Sequence, residues 1–208
     1  MMCLMAAASG RAQVSFGPEA GVIFTNYTGK TNGATEPTKA MVSFRVGGVA
    51  DIGLSERFFF QPGLLYVLNG FKVDYVVSSG SCKVHTLELP LNIGCKFGKP
   101  GGDRFSIGVG PYLAFNMGGT LKQTSYGTSE SMSIKIGNDA NTDNLKRTDV
   151  GLGINVAYQL SYGLFIRGHF QQGITNLEPG GDSNNSTFST NSGISFGYLF
   201  GVNKKGKK

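Results

Sequence analysis

The sequence contains few charged residues and no long hydrophobic run. Charged side chains make up 15% of the 208 residues, against about 25% in an average soluble domain. No window approaches about 18 consecutive apolar residues, the length that a transmembrane helix requires. A helical membrane span is therefore excluded, and only a closed β-barrel would allow this chain to cross a bilayer.

Cysteine and histidine are also scarce. Cys82 and Cys95 lie in one extended segment, which at ~3.4 Å per residue places them on the order of 40 Å apart, beyond disulfide reach. Cys3 stands alone near the N-terminus. With only two histidines and no Cys/His cluster, the sequence predicts no disulfide, no metal site and no cofactor.

Glycine is abundant instead, and it alternates with large apolar residues. Between Val150 and Leu160 every second residue is large and apolar, and the residues between them are Gly, Asn, Ala and Gln. A period of two predicts a strand. The pattern recurs in eight segments, each longer than the ~5–6 residues of a typical globular strand: 14–26, 41–54, 57–71, 83–98, 104–118, 147–160, 163–176 and 188–201.

The connections between these segments alternate in length. Short turns join segments 2–3, 4–5 and 6–7, whereas longer polar stretches join the others, the longest being 119–146. In outer-membrane barrels the short turns share the periplasmic rim and the long loops share the other. The sequence therefore predicts an all-β fold, an eight-stranded antiparallel up-and-down transmembrane β-barrel with both termini in the periplasm.

The polar phase of the strands is dominated by Gly, Ser, Asn and Gln, which suits a narrow lumen better than a water-exposed surface. Its charges have both signs and predict a paired lumen network of Glu19, Arg45, Asp51, Glu88, Lys96, Arg167 and His169. A water-filled pore is one interpretation of these charges. The other, which small barrels favour, is an interior filled by side chains that does not serve as a general pore.

Aromatic residues cluster near the ends of the segments, as in the girdles of membrane barrels. Those toward the short-turn rim are Phe16, Phe58, Phe60, Phe97, Phe105, Tyr162, Tyr198 and Phe200. Those toward the long-loop rim are Phe24, Tyr27, Phe71, Tyr75, Phe115 and Phe188. The two sets predict the two membrane interfaces.

Four short motifs occur in this strand order. They are Gln61-Pro62-Gly63-Leu64-Leu65-Tyr66 followed by Asn69-Gly70, Leu87-Glu88-Leu89-Pro90-Leu91, Gly108-Val109-Gly110-Pro111-Tyr112, and Ile194-Ser195-Phe196-Gly197-Tyr198-Leu199-Phe200. With these motifs the chain resembles the PorT-like outer-membrane β-barrel family of Gram-negative bacteria, from about residue 14 to residue 201. The resemblance implies an integral outer-membrane barrel, some of whose relatives are associated with protein secretion, and no catalytic residue. Residues 201–208 depart from it, because outer-membrane barrels often end on an aromatic residue.

The ends of the chain differ from its body. Residues 1–12 are typical of a partial signal peptide whose true start lies upstream, 13–201 form the barrel domain, and 202–208 form a basic periplasmic tail. The formal charge of +6 falls to +5 without Arg11, and Lys204, Lys205, Lys207 and Lys208 carry four of those charges. A nearly neutral body argues against nucleic acid. The expected partners are outer-membrane lipid, the barrel-insertion machinery during assembly, and envelope or secretion proteins.

Three alternatives remain to be weighed against this prediction. A soluble lipocalin-like ligand-binding barrel would place the apolar face inside. An outer-membrane hydrolase could use His169 as a base, although no nucleophile motif surrounds any serine and the sequence predicts no enzyme. Asp139, Asn141 and Asp143 have the opening spacing of a calcium loop, but Asn144 replaces its glycine and Val150 its bidentate glutamate.

Overall fold

The computed structural model describes residues 13–74, 78–125 and 128–202. This part of the chain forms one antiparallel sheet of ten strands. Their bounds are β1 (Val14–Thr31), β2 (Ala34–Thr35), β3 (Lys39–Gly53), β4 (Phe58–Asp74), β5 (Ser78–Phe97), β6 (Arg104–Ser125), β7 (Thr128–Ile134), β8 (Thr148–Gln159), β9 (Leu164–Gly173) and β10 (Ser186–Tyr198). Within the same residues there is no helix long and apolar enough to cross a membrane.

Eight of these strands form the wall of a closed barrel. Strands β1, β3, β4, β5, β6, β8, β9 and β10 pair in chain order, each antiparallel to the next. The ring closes where β10 pairs with β1, from Glu19 opposite Gly197 to Lys30 opposite Ser186. The predicted fold class, an eight-stranded antiparallel up-and-down barrel, is confirmed.

Strands β2 and β7 extend hairpins at the long-loop end. Strand β7 pairs with the last part of β6, from Gly119 opposite Ile134 to Ser125 opposite Thr128. Part of the predicted loop 119–146 is therefore a hairpin that continues beyond the wall. The alternation of apolar and polar residues fails there because most side chains of the hairpin, apart from Leu121 and Ile134, are exposed, although the backbone still pairs.

Both ends of the described chain lie at the short-turn rim. Phe16 and Phe200 form a backbone bridge there, and the Gln13 side chain donates a hydrogen bond to the Gly201 carbonyl at 3.3 Å. The turns 54–57, 98–103 and 160–163 belong to the same rim. The structure thus separates a short-turn rim from a loop rim.

The two faces of the wall have opposite chemistry. On the outward face Leu152 is 58% exposed, whereas on the inward face Glu19 is 1% exposed. The same contrast holds around the ring, with Val42, Phe44, Leu64, Ile107, Ile166 and Phe196 outside. A soluble ligand-binding barrel needs the reverse, and a belt of exposed apolar side chains this large fits lipid and not water.

Most of the predicted girdle residues lie on the outer face, with two exceptions at the loop rim. Phe16 packs against Phe200 with ring centroids 6.1 Å apart, and Phe97 against Phe105 at 6.3 Å. Tyr27, in contrast, is only 3% exposed and points inward, with Phe71 packed edge-on against it at 5.9 Å. Position along the strand suggested a girdle, but the alternation continued from Thr25 places Tyr27 inside. Tyr75 lies outside the described residues.

Inward glycines allow neighbouring strands to approach closely. A Cβ on Gly47 would lie 2.1 Å from the Leu64 carbonyl oxygen, whereas a Cβ on the next residue, Gly48, would meet nothing nearer than 3.7 Å. Gly48 faces outward and Gly47 inward. Small residues on the inward phase are therefore a requirement of the wall itself.

We expect Gly47→Ala to destabilise the refolded barrel by about 1–3 kcal/mol, since overpacking against backbone has a cost of this size. Gly48→Ala is the matched control and should stay within about 0.5 kcal/mol of the parent. Urea unfolding in phospholipid vesicles measures the stability of both variants. The chain has no tryptophan, so far-UV circular dichroism provides the signal. Equal unfolding midpoints for the two variants would contradict this explanation of the glycines.

Candidate functional site

The predicted lumen residues come from four strands and point into the barrel. Glu19 lies on β1, Arg45 and Asp51 on β3, Glu88 and Lys96 on β5, and Arg167 and His169 on β9. All seven occupy the inward phase of their strands, and all but Lys96 are buried. Strand alternation thus brings residues that are up to 150 positions apart in the sequence into one space.

Glu19 is at the centre of this network. Arg167 donates from Nη1 to Glu19 Oε2 at 2.7 Å, and Arg45 Nη2 lies 3.7 Å from Glu19 Oε1. The same Arg45 nitrogen is 3.9 Å from Glu88 Oε1. One carboxylate therefore holds two guanidinium groups, and the second guanidinium links it to another carboxylate.

Two glutamines complete the connection. Gln61 donates from Nε2 to Asp51 Oδ2 at 3.1 Å and accepts from Arg167 Nη2, while Lys96 pairs with the same Asp51. Gln171 donates from Nε2 to Glu88 Oε1 at 2.8 Å. The predicted network did not include Gln61 or Gln171, although both lie on the inward phase of their strands.

The network is electrically balanced. Three carboxylates, on Glu19, Asp51 and Glu88, face three cations, on Arg45, Lys96 and Arg167. Charges can be buried only when they are paired and hydrogen-bonded. Lys96 and Arg167 also lie over the rings of Phe59 and Phe165, at 5.3 and 5.0 Å from the centroids. Side chains linked in this way cross the lumen from wall to wall.

An uncharged ladder lies next along the lumen toward the loops. Thr25 donates to Asn69, Asn69 to Thr86, and Thr86 to Asn116, over 3.3, 3.2 and 2.9 Å. Asn116 then donates to the Lys146 carbonyl at 2.9 Å. Four strands and the connection just before β8 are thereby joined across the interior.

A third polar group joins β6, β8 and β10. Ser189 donates to Asp149 Oδ2 at 2.5 Å. The Tyr112 hydroxyl is 3.1 Å from Ser189 Oγ and 3.4 Å from the same Asp149 oxygen. These three side chains are buried. They form a third polar layer beneath the loop rim.

The loop end of the interior is apolar. Buried Tyr27, Cys82 and Val84 from the wall meet Leu145 and Leu177 from two connections. Beside this cluster is a partly enclosed cavity of about 450 Å³, which we call the cup; it is lined chiefly by Tyr27, Phe71, Cys82, Leu121, Ile134 and Leu145. Sequence reasoning missed the cup, because apolar residues that point inward only near one rim do not alter the alternation of a whole strand.

Backbone hydrogen bonds hold the connections around the cup. Lys146 donates to the Leu177 carbonyl at 2.9 Å, and Leu177 donates to the Thr187 carbonyl at 2.8 Å. In the β9–β10 connection, the backbone amides of Asn184 and Asn185 donate to Asp182 Oδ1 and lower the pKa of that exposed carboxyl below its usual value. The cup is therefore bounded by fixed segments.

A comparison of the sequence with known families agrees with a barrel that has apolar side chains outside and polar side chains inside. The profile described as outer membrane protein beta-barrel domain matches residues 7–178. The chain belongs to this family. Membership in the outer membrane protein beta-barrel domain family places the chain among the proteins of the outer membrane. Among curated proteins, none matches the sequence significantly.

Solved structures of outer-membrane proteins are similar over most of the chain. Ail, the attachment invasion locus protein of Yersinia pestis, has 12% identity and a TM-score of 0.44, covering 90% of this chain and 99% of that chain. Neisserial surface protein A has 11% identity and a TM-score of 0.47, covering 90% and 99%. OprG from Pseudomonas aeruginosa has 11% identity and a TM-score of 0.47, covering 92% and 98%. Values this low say nothing about what this member of the family binds.

The hydrolase alternative gains no support from the lumen of this family member. His169 faces Arg45, Arg167 and Asn191, and its ring nitrogens make no hydrogen bond to a serine or carboxylate of the described chain. The Ser189 hydroxyl is bonded to Asp149 and Tyr112 and not to a histidine. No arrangement of nucleophile, base and orienting acid follows from these contacts.

The calcium-loop alternative also lacks its ligands. Asp143 Oδ2 accepts from the Asp139 amide at 2.9 Å, and Asp139 Oδ1 accepts from the Asn141 amide at 2.9 Å. These carboxylates stabilise the loop that carries them. Across residues 13–74, 78–125 and 128–202 there is no group of three or more Asp, Glu, His or Cys side chains that could hold a metal ion.

Proposed function

We propose that this chain is an integral outer-membrane barrel with a structural or interaction role, and that its lumen does not serve as a general pore. The observation that carries the proposal is the balanced network from Lys96 and Asp51 through Gln61, Arg167 and Glu19 to Arg45 and Glu88. Two further polar layers lie between it and the loop rim. With its interior occupied, the protein acts through its surfaces and its loop end.

The proposed orientation places both termini and the short turns in the periplasm and the loop rim outside the cell. The alternation of short and long connections supports it. Residues 1–12 then act as a partial signal peptide, 13–201 as the barrel domain and 202–208 as a basic periplasmic tail. Outer-membrane lipid surrounds the wall, the insertion machinery recognises the chain during assembly, and envelope or secretion proteins bind its exposed rims. The narrower kinship with PorT-like barrels rests on the motifs around Gln61-Pro62-Gly63 and Gly108–Tyr112.

The pore question is tested by conductance. The refolded protein, inserted in a planar lipid bilayer at 1 M salt, is expected to give no steady channel steps, because the network leaves no wide aqueous path. Heat-modifiable migration on a denaturing gel verifies in parallel that the sample is a folded barrel. Reproducible steps from such a sample would refute a closed lumen.

Orientation is tested by thiol labelling of intact cells. Ser183→Cys lies in the exposed β9–β10 connection and Lys99→Cys in an exposed short turn. A membrane-impermeant maleimide should label Ser183→Cys in intact cells and Lys99→Cys only after the outer membrane is permeabilised. Both variants carry Cys95→Ser, and the remaining buried Cys82 is expected to give a low background in both. The opposite labelling pattern would reverse the proposed orientation.

A further inference from the structure

The cup differs from the rest of the lumen in its chemistry. Below it, the inward phase carries paired charges, amides and hydroxyls, whereas the cup presents Phe71, Leu121 and Ile134 around the buried Tyr27, Cys82 and Leu145. These side chains face away from lipid, so the membrane does not account for them. They form an apolar surface inside the barrel at the rim where the longest connections meet.

Packing alone does not account for the cup either. The interiors of proteins are close-packed, with few voids larger than a water molecule. A cavity of about 450 Å³ is far larger than such voids and falls within the roughly 300–1,000 Å³ of small-molecule sites. If the apolar residues served only to fasten the loops, the loops would close on them.

Tyr27 places a hydroxyl group in the lining of the otherwise mostly apolar cup. Its side chain is buried in the cup, and its backbone carbonyl accepts from Thr38 Oγ1 at 2.8 Å, which fixes the strand here. Among the described residues, the hydroxyls of Tyr66, Tyr112 and Tyr158 make hydrogen bonds, whereas those of Tyr27, Tyr162 and Tyr198 make none. The Tyr27 oxygen is not one of the buried polar atoms that lack a partner, so it reaches the open space of the cup and is available to a ligand.

We propose that the cup binds a neutral, mostly apolar small molecule that carries one hydrogen-bonding group. The apolar body packs among Phe71, Leu121, Ile134 and Leu145, and the polar group pairs with the Tyr27 hydroxyl. The charges at the edge of the cup, on Lys30, Glu36 and Glu178, sum to −1 and disfavour an anion. No buried carboxylate among the described residues lines the cup to pair with a cation. A neutral ligand fits these two observations. The proposal holds whichever way the barrel is oriented and whatever partners its surfaces bind.

The direct test uses 6-fluoro-2-naphthol, a neutral probe with one hydroxyl, and the barrel in lipid nanodiscs. Fluorine NMR is expected to give a saturable bound signal that empty nanodiscs lack. Tyr27→Phe keeps the ring and its contact with Phe71, and should weaken binding about three- to tenfold, the usual effect of one hydrogen bond. Affinity unchanged in Tyr27→Phe would overturn the role of the hydroxyl, and a signal no different from empty nanodiscs would overturn the site.

A second pair of variants separates the cup from the outer surface. Leu121→Trp fills the cup and should abolish the saturable signal, whereas Ile174→Trp adds the same ring at an exposed position outside it and should leave binding unchanged. If Leu121→Trp fails to fold, the test uses a protein whose one substitution is Cys95→Ser, and the modification of the Cys82 thiol is the readout. An apolar maleimide should modify Cys82, and saturating probe should slow that reaction at least fivefold. No protection by the probe would contradict binding in the cup.

Discussion

Glu19→Gln should be the most destabilising single substitution of equal volume in the lumen. The side chain keeps its shape but loses the charge that holds Arg167 at 2.7 Å and Arg45 at 3.7 Å. Removing one partner of a buried ion pair typically costs about 3–5 kcal/mol, because the remaining charge is left uncompensated. Here two guanidinium groups would share the carboxylates of Glu88 and Asp51. Unfolding of the refolded barrel by guanidinium chloride in phospholipid vesicles measures the loss of stability.

Two further variants separate charge balance from general damage. Glu130→Gln removes a carboxylate from the exposed β7 strand and should leave stability within about 0.5 kcal/mol of the parent. Combining Glu19→Gln with Arg167→Met removes both charges of the Glu19–Arg167 pair and should recover most of the loss, since neutral replacements of a buried pair are often tolerated. If Glu19→Gln unfolds at the same denaturant concentration as Glu130→Gln, the network does not stabilise the barrel.

The wall and its faces were predictable because each depends on local sequence. Alternation between Val150 and Leu160 identifies a strand, and small residues opposite Leu152 and Ile154 identify the lumen side. The same alternation predicted which charged residues share the lumen. It did not predict which of them pair, because Glu19 and Arg167 meet only through the closure of β10 on β1.

The loop end was less predictable, since its structure depends on contacts between distant segments. Leu145 and Leu177 reach the interior from two different connections, and strands β8 and β9 lie between them in the sequence. Nothing in either connection alone marks these leucines as buried. The β6–β7 hairpin was hidden for a related reason: apart from Leu121 and Ile134, most of its side chains are exposed, so backbone pairing leaves no hydrophobic period to detect.

The outward face gives the second large effect. Ile154 lies midway along β8, is 47% exposed, and is paired with Val109 and Phe170 on the neighbouring strands. If lipid covers this face, Ile154→Lys places a cation near the middle of the bilayer, at a cost of about 2–4 kcal/mol. If water covers it, the same change should be nearly neutral. We expect a large fall in both the folded fraction and the unfolding free energy in vesicles.

Met132→Lys is the matched control, because Met132 is 52% exposed but lies on β7, which extends beyond the barrel wall. Similar exposure with a different surrounding solvent isolates the effect of lipid from that of losing an apolar side chain. Met132→Lys should therefore fold as the parent does. A comparable loss in both variants would mean that the belt and the hairpin meet the same solvent. In that case the exposed apolar face of the wall would need another explanation than the membrane.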